Sequence, residues 1–212
     1  MDPIDVANSK GLSEFIQEYL PSSEEWSLWV HPANKTQYKI ALEAAQGLSV
    51  ADFEACFHLI EFTSADDYKK SQNGWKPGSK KREMKLLDLK YLLIKNDRDA
   101  VEGFMSFMPT YEDDYPVIYC YEIHLSSALQ GTGLGTTLMQ LLRTCAARIP
   151  GTEKLMLTCF TSNQRGIKFY EKMGFVKDEF SPPPKVLRNG TQIESEYIIL
   201  SKAVSSMHKD NT

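Results

Sequence analysis

The stretch from Tyr119 to Thr136 constrains this chain more than any other. Tyr119-Cys-Tyr-Glu-Ile-His-Leu125 is an apolar, β-prone run, and Gln130-Gly-Thr-Gly-Leu-Gly-Thr136 is a glycine-rich turn. Beyond it Leu134, Leu138, Leu141, Leu142 and Cys145 fall on one helical face that ends at Pro150-Gly151. A strand therefore delivers the chain into a turn that opens a helix. Glycines at 131, 133 and 135 let the backbone take positive φ and approach a ligand closely, while the first N–H groups and the positive end of the helix dipole face that ligand. An anionic phosphate is the natural occupant, and several charge-assisted hydrogen bonds of roughly 1.5–3 kcal/mol each would anchor it. The P-loop is excluded, because Gly135 is followed by Thr136 and Thr137 with no lysine for the phosphates. The dinucleotide fingerprint fits poorly: the glycines run G-x-G-x-G, late in the chain and after a hairpin. A turn that merely links strand to helix explains one or two glycines but hardly three.

Elsewhere the hydrophobic period sets the elements. Leu12, Phe15, Ile16, Tyr19 and Leu20 form the apolar face of a helix that stops at Pro21. A second helix follows Ser49 and carries Phe53, Cys56, Phe57 and Ile60; a third is expected to start at Ser79, with its hydroxyl capping the Lys80 to Leu86 run. From Tyr91 the period shortens: Tyr91 to Ile94, a turn at Asn96 to Asp99, and Val101 to Met108 read as an antiparallel hairpin. The strand Pro116 to Leu125 comes after the acidic turn Glu112-Asp113-Asp114. After the glycine-turn helix come a strand at Lys154 to Cys159, a helix from Asn163 to Met173 closed by Gly174, and strands near Phe175 and at Glu196 to Leu200. This order predicts an α/β fold, a mixed sheet with helices on both faces.

Composition narrows the function classes. A chain of 212 residues, 42% apolar and 11% aromatic, buries one sizeable core. The net charge is −4, from 24 basic and 28 acidic residues interspersed along the chain, so no basic field exists to hold a nucleic-acid backbone. Cys56, Cys120, Cys145 and Cys159 form no C-x-x-C pair and sit mostly in apolar runs, which suits a reducing compartment; no metal site is expected. The absence of a signal-peptide pattern, and of any apolar run near ~18 residues, leads us to expect neither secretion nor a membrane span.

Two motifs carry a resemblance. Gln130-x-x-Gly133-x-Gly135 resembles the R/Q-x-x-G-x-G/A motif of the GNAT acetyltransferases, and Asn163, Gly166, Phe169-Tyr170 and Met173-Gly174-Phe175 resemble that family's second signature, in the right order and spacing. Gly74-Trp75-Lys76, Lys81-Arg82-Glu83-Met84, Tyr119-Cys-Tyr-Glu122, Leu157-Thr158 and Asn163 look like the histone-specific N-terminal acetyltransferases (NatD), over roughly residues 65 to 200. The resemblance implies a GNAT fold with a mixed, mostly antiparallel central sheet. It implies acetyl-CoA as cosubstrate, held by Ile123, His124, Leu125, Gln130, Gly131, Thr132, Gly133, Leu134, Gly135, Thr136 and Asn163. It also implies residues 1–30 as a helical extension wrapped on the core, 31–203 as the acetyltransferase domain and 204–212 as a tail. The implied reaction acetylates the α-amine of histone four and histone two-A, whose mature tails begin Ser-Gly-Arg-Gly. A monomer working in nucleus and cytoplasm is the matching expectation.

Acetyl transfer from a thioester needs a neutral amine, a polarised carbonyl and a protonated leaving thiolate. An α-amine, with a reference pKa near 7.7–8.0 against about 10.4 for lysine, needs only a modest base. Glu122, ionisable in an otherwise apolar strand, is the candidate; alternatively it is a carboxylate paired at the sheet rim. Tyr170 stands at the family's tyrosine position, where it could protonate the sulfur, and reads equally well as a core aromatic beside Ile167 and Met173. A backbone amide in Ile123 to Leu125 is implied for the carbonyl. Cys120, Glu122 and His124 share a face of an ideal strand, which raises a cysteine–histidine nucleophile as a rival that a bulge would undo. The resemblance sets Tyr68, Tyr121, Thr158 and Tyr197 around the peptide N terminus. Glu112, Asp113 and Asp114 could receive the tail's arginine, or form only a solvated hairpin loop. Ser181-Pro-Pro-Pro184 is a stiff loop that borders the groove or serves as a spacer. Two other functions remain open: a GNAT enzyme acting on lysine side chains or a small amine, and a non-catalytic acyl-CoA-binding module.

Overall fold

The computed structural model describes residues 2–186, 188, 190 and 192–204. Three short helices come first, α1 (Pro3–Ser9), α2 (Leu12–Tyr19) and α3 (Ser23–Trp26), then strands β1 (Leu28–Val30) and β2 (Gln37–Ala44). Helices α4 (Val50–Lys70) and α5 (Pro77–Glu83) lead to β3 (Lys90–Lys95), β4 (Val101–Glu112) and β5 (Tyr115–Leu125). Next are α6 (Leu134–Arg148), β6 (Lys154–Phe160), α7 (Gln164–Lys172) and β7 (Val176–Lys177). A separate two-stranded pair, β8 (Lys185–Val186) with β9 (Gln192–Ile193), precedes β10 (Tyr197–Ala203). The main sheet has eight strands in the order β1-β2-β3-β4-β5-β6-β10-β7, antiparallel at every junction except β5 with β6.

Both faces are covered, as the alternation along the strands requires. Leu92 and Ile94 of β3 and Met105 and Phe107 of β4 pack with Phe15, Tyr19, Trp26 and the α6 residues Leu134, Leu138 and Leu142. Tyr91, Leu93 and Phe104, pointing the other way, meet Phe53, Cys56, Phe57 and Ile60 of α4. The N-terminal helices thus belong to the core, and the sheet already begins at Leu28. Residues 205–212, most of the expected tail, lie outside the described residues. Among the described residues no helix is long and apolar enough to cross a membrane.

Local signals explain most boundaries. Ser49 caps α4 by accepting the Asp52 N–H at 3.0 Å. Helix α5 departs from expectation: it starts two residues before Ser79, with Pro77 in its first turn, where a missing N–H costs nothing. The Ser79 hydroxyl accepts from Arg82 instead. The β4–β5 hairpin turns on Asp113 (φ 45°) and Asp114 (φ 68°), the two left-handed residues that a two-residue hairpin loop demands.

Two irregularities position the site. Ser106 pairs with Glu122 and Phe107 with Cys120, so Tyr121 is an extra residue, a β-bulge in β5. Strand β5 pairs with β6 only from Val117–Lys154 to Cys120–Leu157, after which the two strands part.

Candidate active site

The parting of β5 and β6 opens a cleft of about 1100 Å³, and the glycine turn forms one of its walls. Gly131 and Gly133 take φ of 74° and 92°, and a side chain there would meet no neighbour, so backbone conformation rather than space demands glycine. Gly135 is different: its φ is ordinary, and a Cβ there would rest in van der Waals contact 3.4 Å from the Phe169 ring. Gln130 braces the turn, donating from Nε2 to the Leu125 carbonyl at 3.0 Å and accepting from the Arg165 guanidinium at 3.1 Å. With Gly135 and Thr136 of the first turn of α6 and Arg165 in one wall, this surface fits the pyrophosphate of coenzyme A.

Ile123, His124, Leu125, Gln130, Gly131, Gly133, Gly135, Thr136 and Asn163 all line the cleft. Thr132 and Leu134 do not. The Thr132 hydroxyl turns back to the Leu129 carbonyl at 2.6 Å, and the Leu134 side chain is buried in the core, which leaves only their backbone for a ligand. The Asn163 side chain is engaged as the cap of α7, accepting the Gly166 N–H at 2.8 Å.

Glu122 lies on the α4 face of β5, and its side chain is only 10% exposed. Lys80 of α5, 7% exposed, donates to Glu122 Oε1 at 2.8 Å and to Glu83 at 2.7 Å, with its ammonium 4.9 Å from the Tyr68 ring centroid. His124 Nε2 meets the other oxygen, Oε2, and His124 Nδ1 meets Thr63 Oγ1 at 2.5 Å. Burial alone would raise the Glu122 pKa, but His124 and Lys80 outweigh it and hold the carboxyl down at about 2. Burial likewise works against the Lys80 charge, and Glu122 reverses that effect. Glu122 is therefore both a paired carboxylate and a wall of the cleft.

The bulge separates the assumed cysteine–histidine pair. Cys120 packs in the core cluster that holds Ile118 and Tyr170, whereas the His124 ring lies against Phe104 on the opposite face, 5.5 Å between centroids. Burial also pushes the Cys120 thiol far up, away from the thiolate a nucleophile needs. Tyr170 lines the cleft and packs against Phe169 and Phe175 at centroid distances of 5.1 and 5.7 Å. Burial raises its hydroxyl pKa well above the usual value, so it stays protonated.

Beyond Glu122, Tyr68, Glu112, Tyr121, Thr158 and Tyr197 also line the cleft. Asp113 and Asp114 do not: they form the exposed tip of the hairpin, and of the acidic turn only Glu112 faces inward. Ser181 is tied to β10, accepting the Ile199 N–H at 2.7 Å and donating to the Ile199 carbonyl at 3.0 Å. Sequence reasoning missed Tyr119, whose hydroxyl meets Thr158 Oγ1 at 2.5 Å and so links the diverging strands. It also missed Lys80, Glu83, Thr63 and Arg165. The alternation of Tyr119 with Tyr121 was a usable signal; for Lys80, inside a run that reads as solvated, there was none. Among the described residues no group of three or more His, Cys, Asp or Glu could hold a metal ion.

Comparison with known proteins agrees with this geometry. The model of the acetyltransferase (GNAT) family matches residues 52–175. The chain is 30% identical over 167 residues to N-alpha-acetyltransferase 40 of Saccharomyces cerevisiae, an alignment covering 68% of this chain and 57% of the yeast protein. The chain thus spans little more than half the length of that relative. Among solved structures, a putative phosphinothricin N-acetyltransferase superposes with TM-score 0.55 at 20% identity, over 79% of this chain and 100% of its own. Arabidopsis thaliana NAA60, in complex with a bisubstrate analogue, gives 0.52 at 11% identity, over 78% and 98%. These two likenesses establish the fold.

Proposed function

The chain belongs to the acetyltransferase (GNAT) family, and on that premise we propose that it moves the acetyl group of acetyl-CoA to the α-amine of a polypeptide. The substrates we assign are histone tails beginning Ser-Gly-Arg-Gly, those of histone four and histone two-A. One observation carries the reading: the glycine turn and Glu122 open onto the same cleft, because β5 and β6 part directly after Cys120 and Leu157. The name of the yeast relative supports the α-amine as acceptor.

Acetyl-CoA supplies the activated acyl group. Amides from Gly131 to Thr136, beside Arg165, hold its pyrophosphate, and an amide in Ile123 to Leu125, where β5 has lost its β6 partner, polarises the thioester carbonyl. Glu122 acts as general base, accepting the amine's proton as the C–N bond forms. Because so acidic a carboxyl does not keep a proton, it passes it to water. The C–S bond then breaks, and Tyr170 protonates the departing thiolate within a single ternary complex. Tyr68, Tyr121, Thr158 and Tyr197 surround the first residue of the peptide, and Glu112 pairs with its arginine. One chain supplies every residue named, so a monomer suffices, and histone substrates make nucleus and cytoplasm its compartments.

Two short peptides test the substrate class. A tail beginning Ser-Gly-Arg-Gly is expected to exceed one beginning Ser-Gly-Ala-Gly by about tenfold or more in kcat/KM, the worth of one charge-assisted hydrogen bond. Equal values would remove the histone assignment. Faster transfer to free lysine or a polyamine would move the protein to the small-amine alternative.

A further inference from the structure

We propose that Lys80 and His124 are positioning residues for Glu122: each holds one carboxylate oxygen, so that the remaining lone pairs are fixed toward the attacking amine. The inference rests on the acetyl-transfer reading and adds two side chains to it. Lys80 comes from α5 and reaches Oε1 at 2.8 Å. His124 comes from β5 itself and reaches Oε2 because the bulge at Tyr121 turns Glu122 and His124 to the α4 face. Each carboxylate oxygen has two lone pairs, and one of each is taken.

The His124 ring is held from both sides: Thr63 Oγ1 meets Nδ1 at 2.5 Å, and Nε2 meets Glu122 Oε2, which as an ionised carboxylate oxygen can only accept. Glu122 therefore lies between the Lys80 ammonium and an imidazole N–H donor. The titratable groups around it are Lys80 and Glu83 from α5, Tyr68 from α4, Tyr91 from β3, Tyr170 from α7, and Cys120 and His124 from β5. Of these only Lys80 and His124 can bear positive charge. Remove either and the carboxyl loses one of the two partners that oppose burial, which raises its pKa toward the working range and frees it to rotate.

The test pairs kinetics with a titration that needs no substrate. In the parent, the acid limb of kcat/KM follows the substrate α-amine alone, near 7.7–8.0. Lys80→Met is expected to add a second ionisation, so that between about pH 8.5 and about pH 6 it loses at least about tenfold more activity than the parent, and Lys80→Arg restores most of the difference. In ¹³C NMR, the Glu122 carboxyl carbon, assigned with Glu122→Gln, should titrate at least one pH unit higher in Lys80→Met and in His124→Gln than in the parent. Profiles in both variants that match the parent after a constant scale factor, with an unmoved carboxyl titration, overturn the proposal. Should Lys80→Met fail to fold, His124→Gln, which keeps a neutral donor on Oε2, decides it. A moved carboxyl titration in a protein that acetylates no α-amine would sink the functional reading and leave only the hold of Lys80 and His124 on Glu122 standing.

Discussion

Glu122 joins the chemistry of the cleft to the packing beneath it. A buried carboxylate held between Lys80 and His124 is a poor reservoir for a proton and a well-fixed acceptor for an N–H, so in the proposed mechanism it takes the amine's proton only in passing and orients the amine for attack. Glu122→Gln keeps the shape and removes the charge, and Lys80 retains Glu83 as a partner. The expected outcome is a kcat lower by about 10²–10⁴-fold, with acetyl-CoA affinity little changed when measured by calorimetry. A non-catalytic acyl-CoA-binding module would have no turnover to lose. At this scale the sequence was partly legible. An ionisable residue in an apolar strand marked Glu122, and the family resemblance marked Tyr121 as a neighbour of the site. Lys80 was hidden in Lys80-Lys81-Arg82, because only the packing of α5 on α4 decides that Lys80 turns inward while Lys81 meets Glu54 and Arg82 meets Ser79. Asp113 and Asp114 misled for a related reason: a hairpin of two left-handed residues needs them at its tip, so a turn signal was read as a binding signal.

The elements that carry the cofactor surface were the most readable part of the chain, because their signals are local. Leu134, Leu138, Leu141, Leu142 and Cys145 are buried along α6 as their spacing requires, and Asn163 caps α7 three residues before Gly166, where a Cβ would collide with the Asn163 side chain at 2.7 Å. The glycines of the turn divide into two kinds with different expected costs. Gly133→Ala forces an L-residue to φ 92°, a strain of about 1–2 kcal/mol, which moves the first amides of α6. Its KM for acetyl-CoA is expected to rise about tenfold with a smaller change in kcat, as steady-state kinetics would read; an unchanged KM would detach the turn from the cofactor. Non-local features escaped. The bulge at Tyr121 arises from the pairing of β4 with β5, and without it an ideal strand groups Cys120 with His124. Strand β2 alternates exposed and buried residues, yet its apolar positions acquire meaning only through pairing with β3.

At the scale of the whole molecule, the predicted α/β sheet with helices on both faces is the fold observed, including the hairpin and the strand–turn–helix after it. What no pattern announced is that the β5–β6 junction is parallel and short, pairing over four residues before it opens. That opening is a property of the assembled sheet, and it brings the glycine turn, Glu122 and the tyrosines to one cleft. The N-terminal helices complete the arrangement from beneath: Phe15 lies 6.3 Å from Phe107, and Tyr19, Leu20 and Trp26 join the same core that seats α6. The central claim is that this single cleft joins acetyl-CoA to a free peptide end. The most direct test is transfer of labelled acetyl from acetyl-CoA to a Ser-Gly-Arg-Gly peptide with a downstream lysine, beside the same peptide with its N terminus already blocked. Label in the free peptide alone is the predicted result; equal label in both would contradict the account and make the protein a lysine acetyltransferase.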